Sequence, residues 1–144
     1  MILRFEIELA LLEGKIEVKD LPKVWNQKAK EYLGITPKTD KEGVLQDVHW
    51  SLGLIGYFPT YALGNIYSAQ LYNEMLKEHP NLLSEIRKGK FDNILKWLTK
   101  KIYIYGRTIT TEEIIKKACG RGLDPKAFIA YLREKYSEIY VMNR

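Results

Sequence analysis

Helix boundaries are written along most of this chain, and they constrain its fold more than any other feature. Thr110 with Glu113 three residues later forms a capping box, in which a hydroxyl and a carboxylate satisfy backbone N–H groups at a helix start. That helix stops at Gly120, and Asp124 followed by Pro125 opens another that runs to about Glu138. Further upstream, Ile2, Phe5, Leu9 and Leu12 recur at spacings of three and four, and Gly14 follows as a stop. Asp20 stands at the cap of a second helix to about Leu33, with Pro22 in its first turn and Gly34 past its end.

Pro59 suits the first turn of a long helix through about Glu78. Asn81 to Lys88, ended by Gly89, and Phe91 to Tyr103 read as two shorter ones. No alternating strand pattern with hairpin turns is present, and KIEV and YIYG are short extended pieces at most. The expectation is a single all-α domain over 1–144, an irregular bundle of about six or seven helices with at most a minor strand or hairpin.

Composition narrows the class. With 46% hydrophobic and 28% charged residues in 144, the chain can bury a real core. No apolar run reaches the roughly 18 residues of a membrane span. The opening MILRFEIELALLEG carries acids within its apolar stretch, unlike a signal peptide. One cysteine, Cys119, leaves no internal disulfide and fits a reducing, cytoplasmic setting; on its helix it reads as a small buried residue. The net charge of +5 would attract nucleic acid, but most lysines lie beside glutamates on helical faces, so the charge reads as a solvated surface with no nucleic-acid partner. The Lys, Glu, Ile and Tyr content is compatible with a heat-adapted source.

One segment departs from plain core. GVLQDVHWSLGLIGYFPTYALGNIYSAQ gathers Gln46, Asp47, His49, Trp50, Tyr57 and Tyr61 around Gly43, Gly53, Gly56 and Pro59. A polar and aromatic cluster on a backbone that glycine leaves free in shape reads as the wall of a site. The alternative is a hydrogen-bonded structural histidine among packed aromatics. Asp47 either orients the imidazole or anchors the turn, and Trp50 reads as packing. The other histidine, His79, precedes Pro80 at a helix end and receives no role. A phosphate-binding G-x-x-x-x-G-K-[ST], a G-x-G-x-x-G and a Cys-x-x-Cys are all absent. His49 and His79 lie too far apart in sequence for the paired histidines of a zinc-peptidase helix, so no catalytic zinc is expected in this chain alone.

GVLQDVHW resembles the Gly-x-x-Gln-Asp-x-His-Trp signature of the Taq-type metallocarboxypeptidases, zinc-dependent and mostly helical. ILRFEIELALLEG is similar to the helix after that family's Arg-bearing substrate motif, GYFPTYALGNIYSAQ to the helix after His-Trp, and LDPKAFIAYLREKY to its C-terminus. The resemblance covers essentially the whole chain but about the C-terminal third of the family. It places the H-E-x-x-H zinc helix, the third ligand Glu and the Arg motif upstream of residue 1, so the chain reads as a C-terminal fragment.

The resemblance implies a carboxypeptidase whose zinc (or cobalt) belongs to the full-length family, with peptide substrates and a missing N-terminal portion as partner. It assigns His49 and Tyr61 as donors to the scissile carbonyl oxygen, with Tyr57 the second choice, Gln46 as a substrate contact, and Asp47 and Trp50 as support. The fragment alone is expected to be inactive and to form a homo-oligomer through the apolar faces of its first helix and of the tyrosine-rich helix from Pro59. The competing reading is a non-catalytic helical binding or scaffold protein derived from such a peptidase.

Overall fold

The computed structural model describes residues 1–140, and among them every regular element is helical. Seven α-helices run in order: α1 (Ile2–Leu12), α2 (Leu21–Leu33), α3 (Phe58–Glu78), α4 (Leu82–Arg87), α5 (Asp92–Lys101), α6 (Thr111–Cys119) and α7 (Lys126–Ile139). Single 3-10 turns occupy Val18–Asp20, Val44–Gln46, Trp50–Leu52 and Tyr103–Tyr105. The all-α expectation holds. No helix of the described residues is long and apolar enough to cross a membrane. The chain divides into two compact units, Met1–Ala62 and a second beginning at Leu63, each with its own core.

In the first unit, Ile7, Trp25 and Val44 are buried together, with Leu3, Leu11, Leu21, Val24 and Trp50 against them. The inward face of α1 is therefore Leu3, Ile7 and Leu11. The Ile2, Phe5, Leu9, Leu12 series that marks the helix in the sequence lies on the other side and stays exposed, Ile2 to 68% and Leu12 to 64%. An exposed cluster joins α1 to α2: Glu6 accepts from Lys28 and from the Tyr32 hydroxyl, and these hydrogen bonds hold its carboxyl below the usual range.

One local expectation is corrected. Asp20 accepts no capping hydrogen bond from α2, because a side-chain cap requires extended backbone and Asp20 is already helical at φ −90°, ψ −6° as the last residue of the preceding 3-10 turn. Neither KIEV nor YIYG forms a strand: Lys15 and Ile16 are bends, Glu17 alone is extended (φ −98°, ψ 154°), and Tyr103–Tyr105 winds into the 3-10 turn that follows α5. Pro22 and Gly34 do mark the ends of α2.

In the second unit, Met75, Leu82, Trp97 and Ala118 form the buried centre, ringed by residues including Leu71, Ile94, Leu98 and Cys119. The capping box of α6 is formed: Thr110 Oγ1 accepts from Glu113 N–H at 3.2 Å, and the Glu113 carboxylate accepts from Thr110 N–H at 2.7 Å. The bond from Thr110 N–H, with a second from the Thr110 hydroxyl, holds the Glu113 carboxyl below its ordinary value. Their contribution to α6 is present above the ordinary glutamate range and is lost as acid protonates the folded-state carboxyl.

One polar side chain ties this unit together. Gln70, fully enclosed on α3, donates from Nε2 to the Gly122 carbonyl at 2.9 Å and accepts at Oε1 from Asp124 N–H at 3.0 Å. It thereby fixes the link between α6 and α7. Gln70→Leu conserves volume but leaves both backbone groups without a partner. We expect a loss of about 2–4 kcal/mol, read as a lower urea midpoint at unchanged slope; a loss near zero would show that water replaces the amide.

Candidate functional site

The segment after α2 is shaped by short turns. The turn Val44–Gln46 ends at Asp47, whose extended backbone (φ −91°, ψ 111°) breaks the helical run. His49 then opens the turn Trp50–Leu52, and Gly53 and Gly56 take left-handed φ values of 69° and 77° before α3 begins at Phe58. Glycine adopts that conformation at no steric cost, whereas other residues lose about 1–2 kcal/mol. Both glycines are needed for the chain to double back, bringing the start of α3 against His49.

This return places four of the sequence-selected residues in one cluster. The Asp47 side chain is wholly shielded from solvent. Its Oδ1 accepts from His49 backbone N–H at 2.9 Å and lies 2.7 Å from His49 Nδ1. A carboxylate only accepts, so the facing ring nitrogen carries a proton. His49 Nε2 lies 3.0 Å from the Tyr61 hydroxyl. In the neutral ring Nε2 accepts from that hydroxyl; with both ring protons it becomes a donor. The His49 side chain is 20% exposed and both ring nitrogens meet side chains, so this is not an enclosed histidine bonded to backbone.

Tyr57 and Tyr61 join from the start of α3. Tyr57 stacks on the imidazole (centroids 5.9 Å, 30° between planes) and meets the Tyr61 ring edge-on at 5.3 Å. Both tyrosines are about two-fifths exposed. Phe58, enclosed beneath them, lies 4.9 Å from the imidazole and closes its inner side. Trp50 packs edge-on against Trp25 and Phe58 at 6.4 and 6.0 Å.

Gln46 lies elsewhere. Its amide donates to the Lys41 carbonyl, and its side chain borders an open groove walled by α1 and α2 residues, among them Ile2, Trp25, Ala29 and Tyr32. His49, Tyr57 and Tyr61 do not line that groove. Cys119 sits apart in the second unit, half-buried, and burial pushes its thiol up, away from nucleophile chemistry.

Two residues that matter here went unread in the sequence. Arg4 Nε lies 2.7 Å from Asp47 Oδ2. Glu8, 3% exposed, accepts from Trp50 Nε1–H at 2.9 Å and from Gly56 N–H at 2.8 Å. Arg4 and Glu8 are one helical turn apart, the polar interruptions beside the buried stripe of α1. That spacing is the signal that would have found them.

The cluster does not fit a metal ion. The two ring nitrogens of His49 already face Asp47 and Tyr61, and among the described residues no group of three or more His, Cys, Asp and Glu side chains could share an ion. What it offers is an imidazole and a helix-borne hydroxyl that meet at a partly exposed surface.

The comparison with known proteins gives this geometry a context. The family described as Carboxypeptidase Taq (M32) metallopeptidase matches residues 1–136. Carboxypeptidase 1 of Bacillus subtilis is 48% identical over 99% of this chain, which corresponds to 28% of that relative. Thermostable carboxypeptidase 1 of Pyrococcus furiosus is 42% identical over 94% of this chain and 27% of its own length. The crystal structure of a carboxypeptidase from Deinococcus radiodurans superposes with a TM-score of 0.92 at 38% identity, covering 98% of this chain and 29% of that one. The chain thus spans little more than a quarter of the relatives it matches.

The carboxylate of Glu8 supplies two acceptors to two donors, and a glutamine can supply one. Glu8→Gln should therefore cost about 2 kcal/mol in urea unfolding and weaken the near-ultraviolet dichroism of Trp50, since hydrogen bonds to a charged acceptor contribute about 1.5–3 kcal/mol. A variant as stable as the parent would show that the loop does not depend on this clamp.

Proposed function

This chain belongs to the carboxypeptidase Taq family of metallopeptidases, and from that membership we propose that residues 43–61 form one wall of a carboxypeptidase active site. His49 and Tyr61 donate hydrogen bonds to the scissile carbonyl oxygen of a peptide substrate. The observation that carries the reading is the 3.0 Å approach of His49 Nε2 to the Tyr61 hydroxyl at a partly exposed surface. Two groups that meet each other can also meet one oxygen placed between them.

The chemistry follows from charge. As the scissile carbon becomes tetrahedral, its oxygen gains negative charge and becomes a far stronger acceptor than the ground-state carbonyl. The His49–Tyr61 bond opens; the phenol O–H turns to the oxyanion, and so does Nε2–H when the ring is the imidazolium, its Nδ1–H still on Asp47. Bonds from these donors to an anion are stronger than the bond given up, so the gain falls on the transition state. Asp47 at Nδ1 keeps Nε2 pointing outward, and stacked Tyr57 limits the imidazole's tilt. Gln46, in the neighbouring groove, is proposed as a contact to more distant parts of the peptide.

The metal of the family, zinc in this reading, is held by portions of the enzyme that the match does not span; it supplies polarisation of the substrate carbonyl. The chain then works as the C-terminal part of a larger peptidase and is inactive alone. The apolar stripe of Ile2, Phe5, Leu9 and Leu12, exposed on α1, supports a covering partner there.

In the enzyme completed by its remaining portion, His49→Ala and Tyr61→Phe should each lower kcat by about 10²–10³ with little change in KM, the size seen when one oxyanion donor is removed. Unchanged turnover in both variants would end the donor reading. The chain on its own should self-associate through the α1 stripe at micromolar concentration in sedimentation equilibrium. A single species of 16.8 kDa would argue that the stripe is not an association surface.

A further inference from the structure

The Asp47 carboxylate divides its two oxygens between different neighbours. Oδ1 takes the backbone and ring N–H groups of His49, and Oδ2 faces Arg4 Nε at 2.7 Å. The Arg4 contact lacks the alignment of a full hydrogen bond and holds as an ion pair. The Asp47 side chain has no solvent exposure, and among the described residues Arg4 is the one Lys or Arg paired with it. A carboxylate enclosed without a cation is costly, so its ionised form depends on that guanidinium.

Arg4 is itself held in place. Its guanidinium lies over the Trp25 ring at 5.5 Å from the centroid, and Trp25 meets Trp50, the residue after His49, edge-on. A planar guanidinium can stack on the indole with one face while an N–H edge meets the carboxylate; an ammonium cannot do both. A continuous line of contacts therefore runs from Trp25 through Arg4, Asp47 and His49 to Tyr61.

We propose that Arg4 is a positioning residue for His49: by neutralising and orienting Asp47 it holds the proton on His49 Nδ1 and so aims Nε2 at Tyr61 and, once that nitrogen is protonated as well, at the substrate oxygen. The placement rests on geometry alone; its catalytic consequence rests on the donor reading given above. Without Arg4, Asp47 either takes up a proton or turns toward water. In both cases Oδ1 no longer holds the ring N–H, and the imidazole becomes free to exchange tautomers and to rotate away from Tyr61.

The test reads the tautomer directly. The chain has two histidines, so His79→Gln leaves one ring to follow in long-range proton–nitrogen correlation spectra of the nitrogen-15-labelled chain. At a pH where the ring is neutral, the parent should show a single Nδ1–H tautomer. Arg4→Met should show both tautomers in exchange, and Arg4→Lys should recover part of the parent pattern. If Arg4→Met does not fold, as judged by helical dichroism, Arg4→Gln is read in its place. A folded Arg4→Met or Arg4→Gln with the tautomer still purely Nδ1–H overturns the proposal.

In the completed enzyme, Arg4→Met should lower kcat about tenfold or more at little change in KM, the scale of loss when a histidine's supporting partner is removed. An altered tautomer together with a silent His49→Ala would uphold Arg4 and sink the donor reading. An unaltered tautomer together with an impaired His49→Ala would do the reverse.

Discussion

Two charged side chains on the inner side of α1 organise the first unit. Glu8 reaches across to the Trp50 indole and the Gly56 amide, and Arg4 reaches to Asp47. Between them they fasten the loop that carries His49 at three points. That loop has little regular structure of its own, only two 3-10 turns and two left-handed glycines, so its shape must be imposed from outside. A helix provides rigid spacing, and one turn of α1 sets the distance between the two anchors. The stability of the loop is thus tied to the docking of α1 through Leu3, Ile7 and Leu11.

The cost of such an arrangement is polar groups inside an apolar contact. Glu8 and Gln70 are admitted with both of their hydrogen-bonding groups partnered, while Arg4 and Asp47 are admitted as an ion pair. Charge and amide therefore specify which loop lies where, while the hydrophobic residues supply bulk attraction with no such preference. The two units share this device: a single enclosed side chain on a helix holds a loop by its backbone.

Much of the fold was legible because its signals are local. Thr110 and Glu113, three residues apart, define the start of α6, and Gly34 and Gly120 end α2 and α6 in the left-handed conformation expected of them. Asp20 misled because a cap depends on the backbone before it, and the preceding turn is not visible in the residue pattern. The grouping of Asp47, His49, Tyr57 and Tyr61 was suggested by nearness in sequence and by family resemblance. Arg4 and Glu8 were hidden because their partners lie more than forty residues away. An alternation of charges inside an apolar helix says that something is paired there, not with what.

The tryptophans give this architecture an optical consequence. Trp25 and Trp50 meet edge to face in the first unit, and Trp50 bonds to a carboxylate; Trp97 is enclosed in the second unit. The chain has three tryptophans in all. Its tryptophan fluorescence is therefore divided between the units, and a single Trp97→Phe exchange leaves tryptophan emission that comes from Trp25 and Trp50 in the first unit. Ligand capture or loosening at the His49 loop becomes visible without any attached dye.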